Sequence, residues 1–239
     1  MSSKRKWYHV VLQILLATSL FLLFVSSSVF ATLAFRPLYY LDIVLLDIEG
    51  YSGLENQEIK DNYDALIDYN LPLTDGELVF PSDNMMSETA KIHFEEVKDI
   101  FDLIKICALV MIPVCIAGIW YFESKKMRQY LLYTGSLTLI LPAVVGGFIA
   151  LNWQKVFLIF HEIAFDNDYW IFDPYEDGVI NILPSDFFMH CAIMIVALVF
   201  LGGGICLLLY LRQHRDLIIA WIKYTVKRPF QKLKNKKGS

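Results

Sequence analysis

The sequence predicts an all-α membrane protein in which four transmembrane helices carry a small, mainly helical extracellular cap. Its 239 residues are 56% hydrophobic with a mean hydropathy of +0.46, which is too apolar for one soluble domain of this size. The apolar residues gather into four long runs, and the segments between the runs carry charges of opposite sign. These three observations decide the fold class.

Each apolar run is long enough to cross a bilayer. About 20 helical residues, rising 1.5 Å each, cover roughly 30 Å of hydrocarbon, and lipid forces the backbone groups to pair within a helix. We therefore expect a single membrane domain over residues 1–239, with spans at about 9–34, 101–122, 130–152 and 188–211. The first run is longer than the apolar part of a typical signal peptide, so we expect it to be retained.

The charge pattern predicts how the chain is oriented. Basic residues dominate 1–8, 123–129 and 212–239, whereas acidic residues dominate 36–100 and 153–187. Positively charged segments stay on the cytoplasmic side. We expect a multi-pass protein of the cell membrane with both termini cytoplasmic, an extracellular cap formed by 36–100 and 153–187, and a basic interfacial tail at 212–239 that lies on anionic lipid.

The first cap segment contains signals for helices at the membrane surface. After Arg36-Pro37, aromatic, aliphatic and acidic residues favour a segment that lies along the membrane. Ser52 and Glu55 fit a capping box, which predicts that a helix starts at Ser52. The helical spacing of the apolar residues that follow predicts that this helix is amphipathic: Ile59, Tyr63, Leu66 and Ile67.

Two short segments have the composition of strands. The turn at Asp75-Gly76 precedes ELVFP at 77–81, and GVINIL lies at 178–183 in the other cap segment. We expect the two to pair within the cap.

The second span is predicted to begin as a cap helix. Ser87 followed by Glu88 marks a helix start, and no helix breaker precedes Pro113. His93 shares a helical face with Ile100 and Ile104 and lies about 10 Å above Ile100, because seven residues rise about 1.5 Å each. This places an imidazole near the lipid headgroups.

The third span is predicted to continue as a helix beyond the membrane. It would carry Phe157 and His161 on one face until Asn167 and Asp168 end it. Ser185 is predicted to cap the fourth span.

The stretch from 161 to 188, HEIAFDNDYWIFDPYEDGVINILPSDFF, has the composition of a site, because it is crowded with aromatic residues and carboxylates. His93 and His161 are expected at the same depth on different spans, and imidazole is the side chain best suited to proton transfer near neutral pH. A purely structural role for each histidine remains an alternative. Three carboxylates of the stretch are candidates to orient a ring: Asp168, Asp173 and Asp177.

Other chemistries have less support in the sequence. GxSxG, HExxH and a Gly-rich phosphate loop are absent, and the four cysteines all lie within apolar runs, where they do not suggest disulfides. The two histidines together with aspartates remain a candidate zinc site, although we favour a site without metal or cofactor. Charged residues are scarce deep within the spans, which argues against a transporter, and nothing indicates binding to nucleic acid.

Two motifs resemble those of a known family. HFEEVK at 93–98 and FHEIAFDNDYWIFDPYEDGVINILPSDFF at 160–188, together with the four-span layout, resemble the lipoprotein intramolecular transacylase (Lit) family of Gram-positive bacteria. The resemblance implies an acyltransferase whose partners are diacylglyceryl-lipoprotein and membrane lipids. It implies transfer of an acyl chain from the sn-2 glyceryl oxygen to the α-amine of the N-terminal cysteine, which leaves a lyso-form lipoprotein without any cofactor.

The resemblance also implies the catalytic residues. The family's two histidines correspond to His93 and His161, one as general base and one as general acid, and the sequence leaves open which is which. Around them we expect residues that bind substrate or support the site, and Asn167 is also a candidate oxyanion donor. They comprise two charged residues of the first motif, aromatic and polar residues of the second, and three residues that close the pocket from the cap: Glu96, Lys98, Phe165, Asn167, Asp168, Tyr169, Trp170, Phe172, Asp173, Tyr63, Tyr69 and Asn70.

Two other functions remain open at this point. One is a non-catalytic membrane sensor or assembly protein whose acidic cap binds a partner. The other is a membrane hydrolase or acyltransferase that uses a second substrate.

Overall fold

The computed structural model describes residues 7–71, 76–215 and residue 219, and every regular element in this part of the chain is a helix. In chain order the helices are α1 (Trp7–Ala34), α2 (Pro37–Leu45), α3 (Ile48–Ser52), α4 (Asn56–Asn70), α5 (Glu88–Ser124), α6 (Gln129–Leu151), α7 (Trp153–Ala164), α8 (Val179–Ile182) and α9 (Ser185–Gln213).

Helices α1, α5, α6 and α9 are long and apolar enough to cross a membrane. Helix α1 packs against the other three, and α6 also packs against α9. The predicted fold class, an all-α membrane protein with four spanning helices, is confirmed. The basic residues before Trp7, the turn residues Pro72 and Asp75, and the tail from 216 onward apart from Ile219 lie outside the described residues.

A fully buried amide joins two of the spanning helices. The Gln13 side chain of α1 donates to the His9 carbonyl at 3.3 Å, and its oxygen accepts from the Tyr130 N–H of α6 at 3.2 Å. That N–H belongs to the first turn of α6, where no carbonyl of the same helix is available. Gln13 therefore satisfies a helix end that lipid would leave unpaired.

The α6–α9 contact depends on small residues. A Cβ atom at Gly135 would lie 3.1 Å from the Gly203 carbonyl oxygen and would overlap the Leu207 side chain. Close approach of this kind is how helices gain packing contacts in lipid, where burial of apolar surface gives little.

The cap has its own aromatic core. Tyr39 of α2 is fully buried, stacks on Tyr63 of α4 at 3.7 Å between ring centroids, and meets Phe187 of α9 edge-on at 5.0 Å. Its hydroxyl donates to the Ile182 carbonyl of α8 at 2.6 Å. One tyrosine thus connects α2, α4, α8 and the start of α9.

The predicted strand pairing is wrong. Residues 77–81 have no regular secondary structure, and 179–182 form α8. Val179 and Ile182 both point into the cap core, a spacing of three that suits a helix rather than a strand. The N–H groups of Gly178 and Val179 each donate at 3.0 Å, to the carbonyls of Asn84 and Met85, so this segment pairs only briefly with the chain before α5.

Of the predicted helix starts, Ser87 is confirmed and two others are wrong. The Ser87 hydroxyl accepts from the Ala90 N–H at 3.3 Å, and α5 runs without interruption from the cap into the span. Ser52 instead ends α3, where its hydroxyl donates to the Ile48 carbonyl at 2.7 Å, and α4 begins after Glu55. Ser185 lies inside the first turn of α9 because Pro184 takes the capping position.

The third span does not continue unbroken to His161, contrary to expectation. Helix α6 ends at Leu151, and Asn152 adopts an extended backbone with φ −164° and ψ 91°. The Asn152 side chain accepts from the Lys155 N–H at 3.0 Å and so caps a separate helix, α7. Apolar side chains of α7 remain exposed in the isolated chain, as expected of a helix that lies against lipid: Leu158, Ile159, Phe160 and Ile163.

A carboxylate–imidazole pair connects the cap to the fourth span. Asp42 of α2 is 1% exposed, and both of its carboxylate oxygens lie 2.9 Å from Nδ1 of His190 in α9. A buried carboxylate that loses its partner retains the full cost of leaving water. This contact therefore holds α2 against α9.

We predict that Asp42→Ala destabilises the protein by about 2 kcal/mol, because it removes a buried hydrogen bond to a charged group. Thermal unfolding in detergent should show a midpoint lower by several degrees. Glu49→Ala, which removes an exposed carboxylate from neighbouring α3, is the control and should change the midpoint little. Equal midpoints for the two variants would contradict the structural role of Asp42.

Candidate functional site

The two predicted histidines meet at the junction of the cap and the bundle. His93 comes from the polar first third of α5, and His161 comes from the last turn of α7. Their ring centroids are 6.1 Å apart, with planes inclined by 31°. Two imidazoles from different helices therefore face one small volume.

Aromatic rings enclose both imidazoles. His93 is 6% exposed and meets Phe165 and Phe172 edge-on, at 4.6 and 5.5 Å between ring centroids. His161 contacts Phe157 at 4.3 Å and Trp170 at 4.9 Å. Phe165, Phe172 and Trp170 thus lie around the histidines as expected, whereas Tyr169 makes no ring contact with either histidine and is 39% exposed.

The backbone of α7 fixes the tautomer of His161. Nδ1 of His161 lies 2.8 Å from the carbonyl oxygen of Phe157, one helical turn earlier. A carbonyl oxygen can only accept, so Nδ1 carries the hydrogen and Nε2 of the neutral ring keeps a lone pair. This arrangement prepares His161 to accept a proton at Nε2.

The surroundings favour uncharged imidazoles. Burial among aromatic rings lowers the pKa of His93 well below the ordinary 6.5, and a charge on His161 would lower it further. Burial also lowers the pKa of His161, although the hydrogen bond to the Phe157 carbonyl opposes that effect. Both imidazoles lie outside the apolar length of the spans. Helix α5 still carries Asp99 and Asp102 between His93 and its apolar part, and His161 belongs to α7, which follows the end of the third span. At neutral pH both imidazoles are therefore uncharged.

Glu96 and Asn167 clamp the aromatic loop to α5. The side-chain amide of Asn167 donates to Glu96 Oε1 at 2.7 Å, and the backbone carbonyl of Asn167 accepts from the Trp170 indole N–H at 3.0 Å. Glu96 lies one turn after His93, whereas Trp170 lies against His161. Since one amide hydrogen of Asn167 is already engaged, its contacts favour positioning over the oxyanion role expected from sequence.

Asp177 ties the far end of the same loop to the start of α5. It is 4% exposed, one oxygen accepts from the Ser87 N–H at 2.7 Å, and the other accepts from the Asp173 N–H at 3.1 Å. Asp177 therefore fixes the start of α5 and does not orient an imidazole. Asp168 and Asp173 are exposed, and Asp173 accepts from the Tyr175 N–H within its own turn.

The predicted cap residues divide into two groups. Tyr63 stacks on Tyr39 within the cap core rather than on either histidine. Tyr69 and Asn70 end α4 near α5, where the Lys98 ammonium donates to the Tyr69 carbonyl at 2.6 Å and lies 4.7 Å from its ring centroid. Lys98 is therefore a positioning residue between α4 and α5.

Among the described residues, the buried side-chain atoms without a hydrogen-bond partner include three acceptors on predicted site residues: His93 Nδ1, Glu96 Oε2 and Asn70 Oδ1. Buried polar atoms are rarely left unpaired unless a ligand or water supplies the donor. His93 and Glu96 share a face of α5, so a donor-rich group such as an amine fits this part of the site.

The alternative of a metal site receives no support from the described part of the chain. There, no group of three or more His, Cys, Asp or Glu side chains is arranged to hold an ion.

Sequence reasoning missed the backbone partner of His161 and the cap at Asn152. The first has a local signal, because a histidine inside a helix can reach the carbonyl four residues before it when its rotamer points that way. The second has a weaker signal, since Asn152 lies where the apolar run meets Gln154 and Lys155, and a helix can continue through such residues.

Comparison with known proteins identifies relatives of this arrangement. A family model described as "Lipoprotein intramolecular transacylase Lit" matches residues 14–188. The membrane-integral lipoprotein intramolecular transacylase Lit of Bacillus cereus is 34% identical, with a TM-score of 0.83 over 87% of this chain and 97% of that one. A structure of the same protein with one histidine replaced by arginine gives a TM-score of 0.77 at 34% identity, over 88% of this chain and 93% of that one.

A more distant relative is an uncharacterized protein of Aquifex aeolicus. It is 29% identical over 111 residues, which is 46% of this chain, and the match spans half the length of that relative.

We predict that both imidazoles titrate below the ordinary 6.5, because apolar burial disfavours the imidazolium form. NMR of protein labelled at histidine, in detergent, measures the midpoints, and His93→Gln and His161→Gln assign the signals. His161→Gln should also raise the midpoint of His93, since a neighbouring positive charge is removed. A midpoint at or above 6.5 for His93 would contradict its enclosure.

Proposed function

Because the chain belongs to the lipoprotein intramolecular transacylase (Lit) family, we propose that it moves an acyl chain within one diacylglyceryl-lipoprotein. The chain leaves the sn-2 glyceryl oxygen and ends on the α-amine of the N-terminal cysteine, which gives the lyso-form lipoprotein. The observation that carries this proposal is the pair of imidazoles, with ring centroids 6.1 Å apart, within an aromatic enclosure at the junction of the cap and the bundle. Family membership disfavours a non-catalytic sensor.

The reaction needs proton transfer and positioning but no external reactant. The α-amine attacks the ester carbonyl, an N–C bond forms, and the bond between the carbonyl carbon and the sn-2 oxygen breaks. The amine loses one proton and the sn-2 oxygen gains one, so ester plus amine becomes amide plus alcohol. With both reacting groups on one substrate, correct positioning can lower the barrier by roughly 7–11 kcal/mol.

We assign the first proton transfer to His161. Its Nδ1–H is bound to the Phe157 carbonyl, which leaves Nε2 free to take the amine proton. The reference pKa of an α-amine is about 7.7–8.0, and burial lowers the pKa of His161 below 6.5, so the proton moves as the amine nitrogen bonds to the ester carbon and becomes more acidic.

We assign the second transfer to His93. It donates a proton to the departing sn-2 oxygen, and the proton held by His161 replaces the one that His93 gives up. The ring separation is too long for a direct hydrogen bond between the imidazoles and suits exchange through one water. The enclosure by Phe165 and Phe172 limits bulk water, whose attack on the ester would hydrolyse it instead.

Unpartnered acceptors on two of the predicted site residues suit the substrate amine. Glu96 Oε2 and Asn70 Oδ1 are buried and lack a donor among the described residues, whereas an α-amine brings two or three N–H groups. We propose that they receive the N-terminus of the lipoprotein before His161 removes its proton.

The charge pattern supports an orientation for the reaction. We propose that the cap and the histidines face the outside of the cell and that both termini are cytoplasmic, since basic residues dominate the segments at the opposite ends of the spans.

We predict that His93→Gln and His161→Gln each lower the rate of lyso-form production by about 10²–10⁴, the usual contribution of a general acid or base. Mass spectrometry of a lipopeptide N-terminus in proteoliposomes measures the rate. His214→Gln is a matched control. Nδ1 of His214 makes the same contact with the backbone carbonyl four residues earlier, at 3.0 Å, but His214 lies at the C-terminal end of α9.

Two results would contradict this mechanism. Normal rates in either active-site variant would remove the need for two imidazoles. Exchange of labelled acyl chains between two lipopeptides would indicate a second substrate and exclude intramolecular transfer.

We predict that the cap is accessible from outside the cell. In a variant without the four native cysteines, Tyr175→Cys, at a position 94% exposed in the cap, should react with a membrane-impermeant maleimide in intact cells. Ser124→Cys, at the end of α5, should react only after the membrane is permeabilised. The reverse pattern would place the histidines on the cytoplasmic side.

A further inference from the structure

An apolar groove lies between the end of α6 and the start of α9, beside the break at Asn152. Its volume is about 360 Å³, at the low end of the range for ligand sites, and its walls include Gly146, Trp153, Ile193 and Val196. The Asn152 side-chain oxygen and the Trp153 indole N–H are already bound, to the Lys155 N–H and the Ser185 carbonyl. The groove therefore offers mainly apolar surface to a ligand.

The groove exists because α6 carries small residues where it approaches α9. A Cβ atom at Gly146 would meet only the Val196 side chain, at 3.9 Å, and Ala150 follows one turn later on the same wall. Larger side chains at these positions would fill the space.

One face of α7 joins the groove to the histidines. Trp153, Phe157 and His161 are spaced by four residues, with ring centroids 5.6 Å apart for the first pair and 4.3 Å apart for the second. Phe188 of α9 packs beside Phe157 at 5.7 Å. A continuous row of rings thus runs from the wall of the groove to the proposed base.

The length of this row matches one lipid chain. Eight residues of helix rise about 12 Å. A chain in one leaflet reaches about 15 Å, since two leaflets make up roughly 30 Å of hydrocarbon. An ester held at His161 can therefore lay its tail along Phe157 and place the terminal carbons between Trp153 and Gly146.

We propose that this groove binds the acyl chain that is transferred, an inference that rests on the proposed function. The row ends at His161, where the ester of that chain reacts, so the transferred chain is the occupant that suits the groove better than the retained chain or a bulk lipid. The groove is then a site that selects chain length.

Its effect is positional rather than hydrophobic. A tail that leaves the bilayer for the groove exchanges one apolar environment for another and gains little free energy from burial. Holding the tail instead fixes the ester carbonyl relative to the amine, and a displacement of about 1 Å can cost about 10²-fold in rate. The groove should therefore act on kcat for long chains more than on KM.

The test variant is Gly146→Leu, which fills the groove. Gly147→Leu is the matched control, because Gly147 is the next residue, is exposed, and a Cβ atom added there would have no other atom within 4 Å. Val196→Phe fills the groove from the opposite wall and provides a second test should Gly146→Leu fail to fold. Each protein is reconstituted in vesicles with synthetic diacylglyceryl lipopeptides. One substrate has a long sn-2 chain and a short sn-1 chain, and the other has the reverse.

We expect the groove variants to lose at least about tenfold in kcat for the long sn-2 chain and to stay within about threefold of the control for the short one. Equal loss for both substrates, loss that follows the sn-1 chain, or loss in Gly147→Leu would overturn the assignment. Failure of the unmodified protein to form any lyso product would instead refute the proposed function, so the two failures are distinguishable.

Discussion

The site depends on the contact between Asp177 and the start of α5. The two carboxylate oxygens of Asp177 accept hydrogen bonds from the backbone N–H groups of Ser87 and Asp173. The helix that carries His93 and the loop that follows His161 are therefore held by one buried side chain. The bond between Asn167 and Glu96 repeats the connection about two turns along α5. Together they hold two segments, far apart in sequence, so that the ring centroids of His93 and His161 lie 6.1 Å apart.

Enclosure by aromatic rings gives the site its chemical character. The same rings that exclude water from His93 lower the pKa of the imidazole, so the exclusion of water and the uncharged state of the ring have one cause. The acceptors Glu96 Oε2 and Asn70 Oδ1 show the corresponding cost, since both are buried without a donor in the part of the chain that the structure describes. Such acceptors favour a ligand that brings N–H groups.

The sequence was sufficient where structure follows from local spacing. Ser87 as a helix cap, the uninterrupted α5 and the inward face of His93 all follow from residues within a few turns of one another. The sequence did not predict the features that depend on contacts between residues far apart in the chain. The Asp42–His190 pair joins residues 148 positions apart, and the segment after Gly178 is helical because its side chains fill the cap core. The break at Asn152 is stabilised by Trp153, whose indole N–H reaches Ser185 of another helix.

The apolar side chains on α7 bear on how substrate reaches the histidines. Leu158, Phe160 and Ile163 are exposed in the isolated chain, so α7 is suited to lie within the leaflet beside the site it carries. A lipid-anchored protein would then arrive by sideways diffusion, without its tails ever passing through water. The quantity that governs encounter is accordingly its surface density among neighbouring lipids, and dilution with inert phospholipid would slow turnover even at constant bulk concentration.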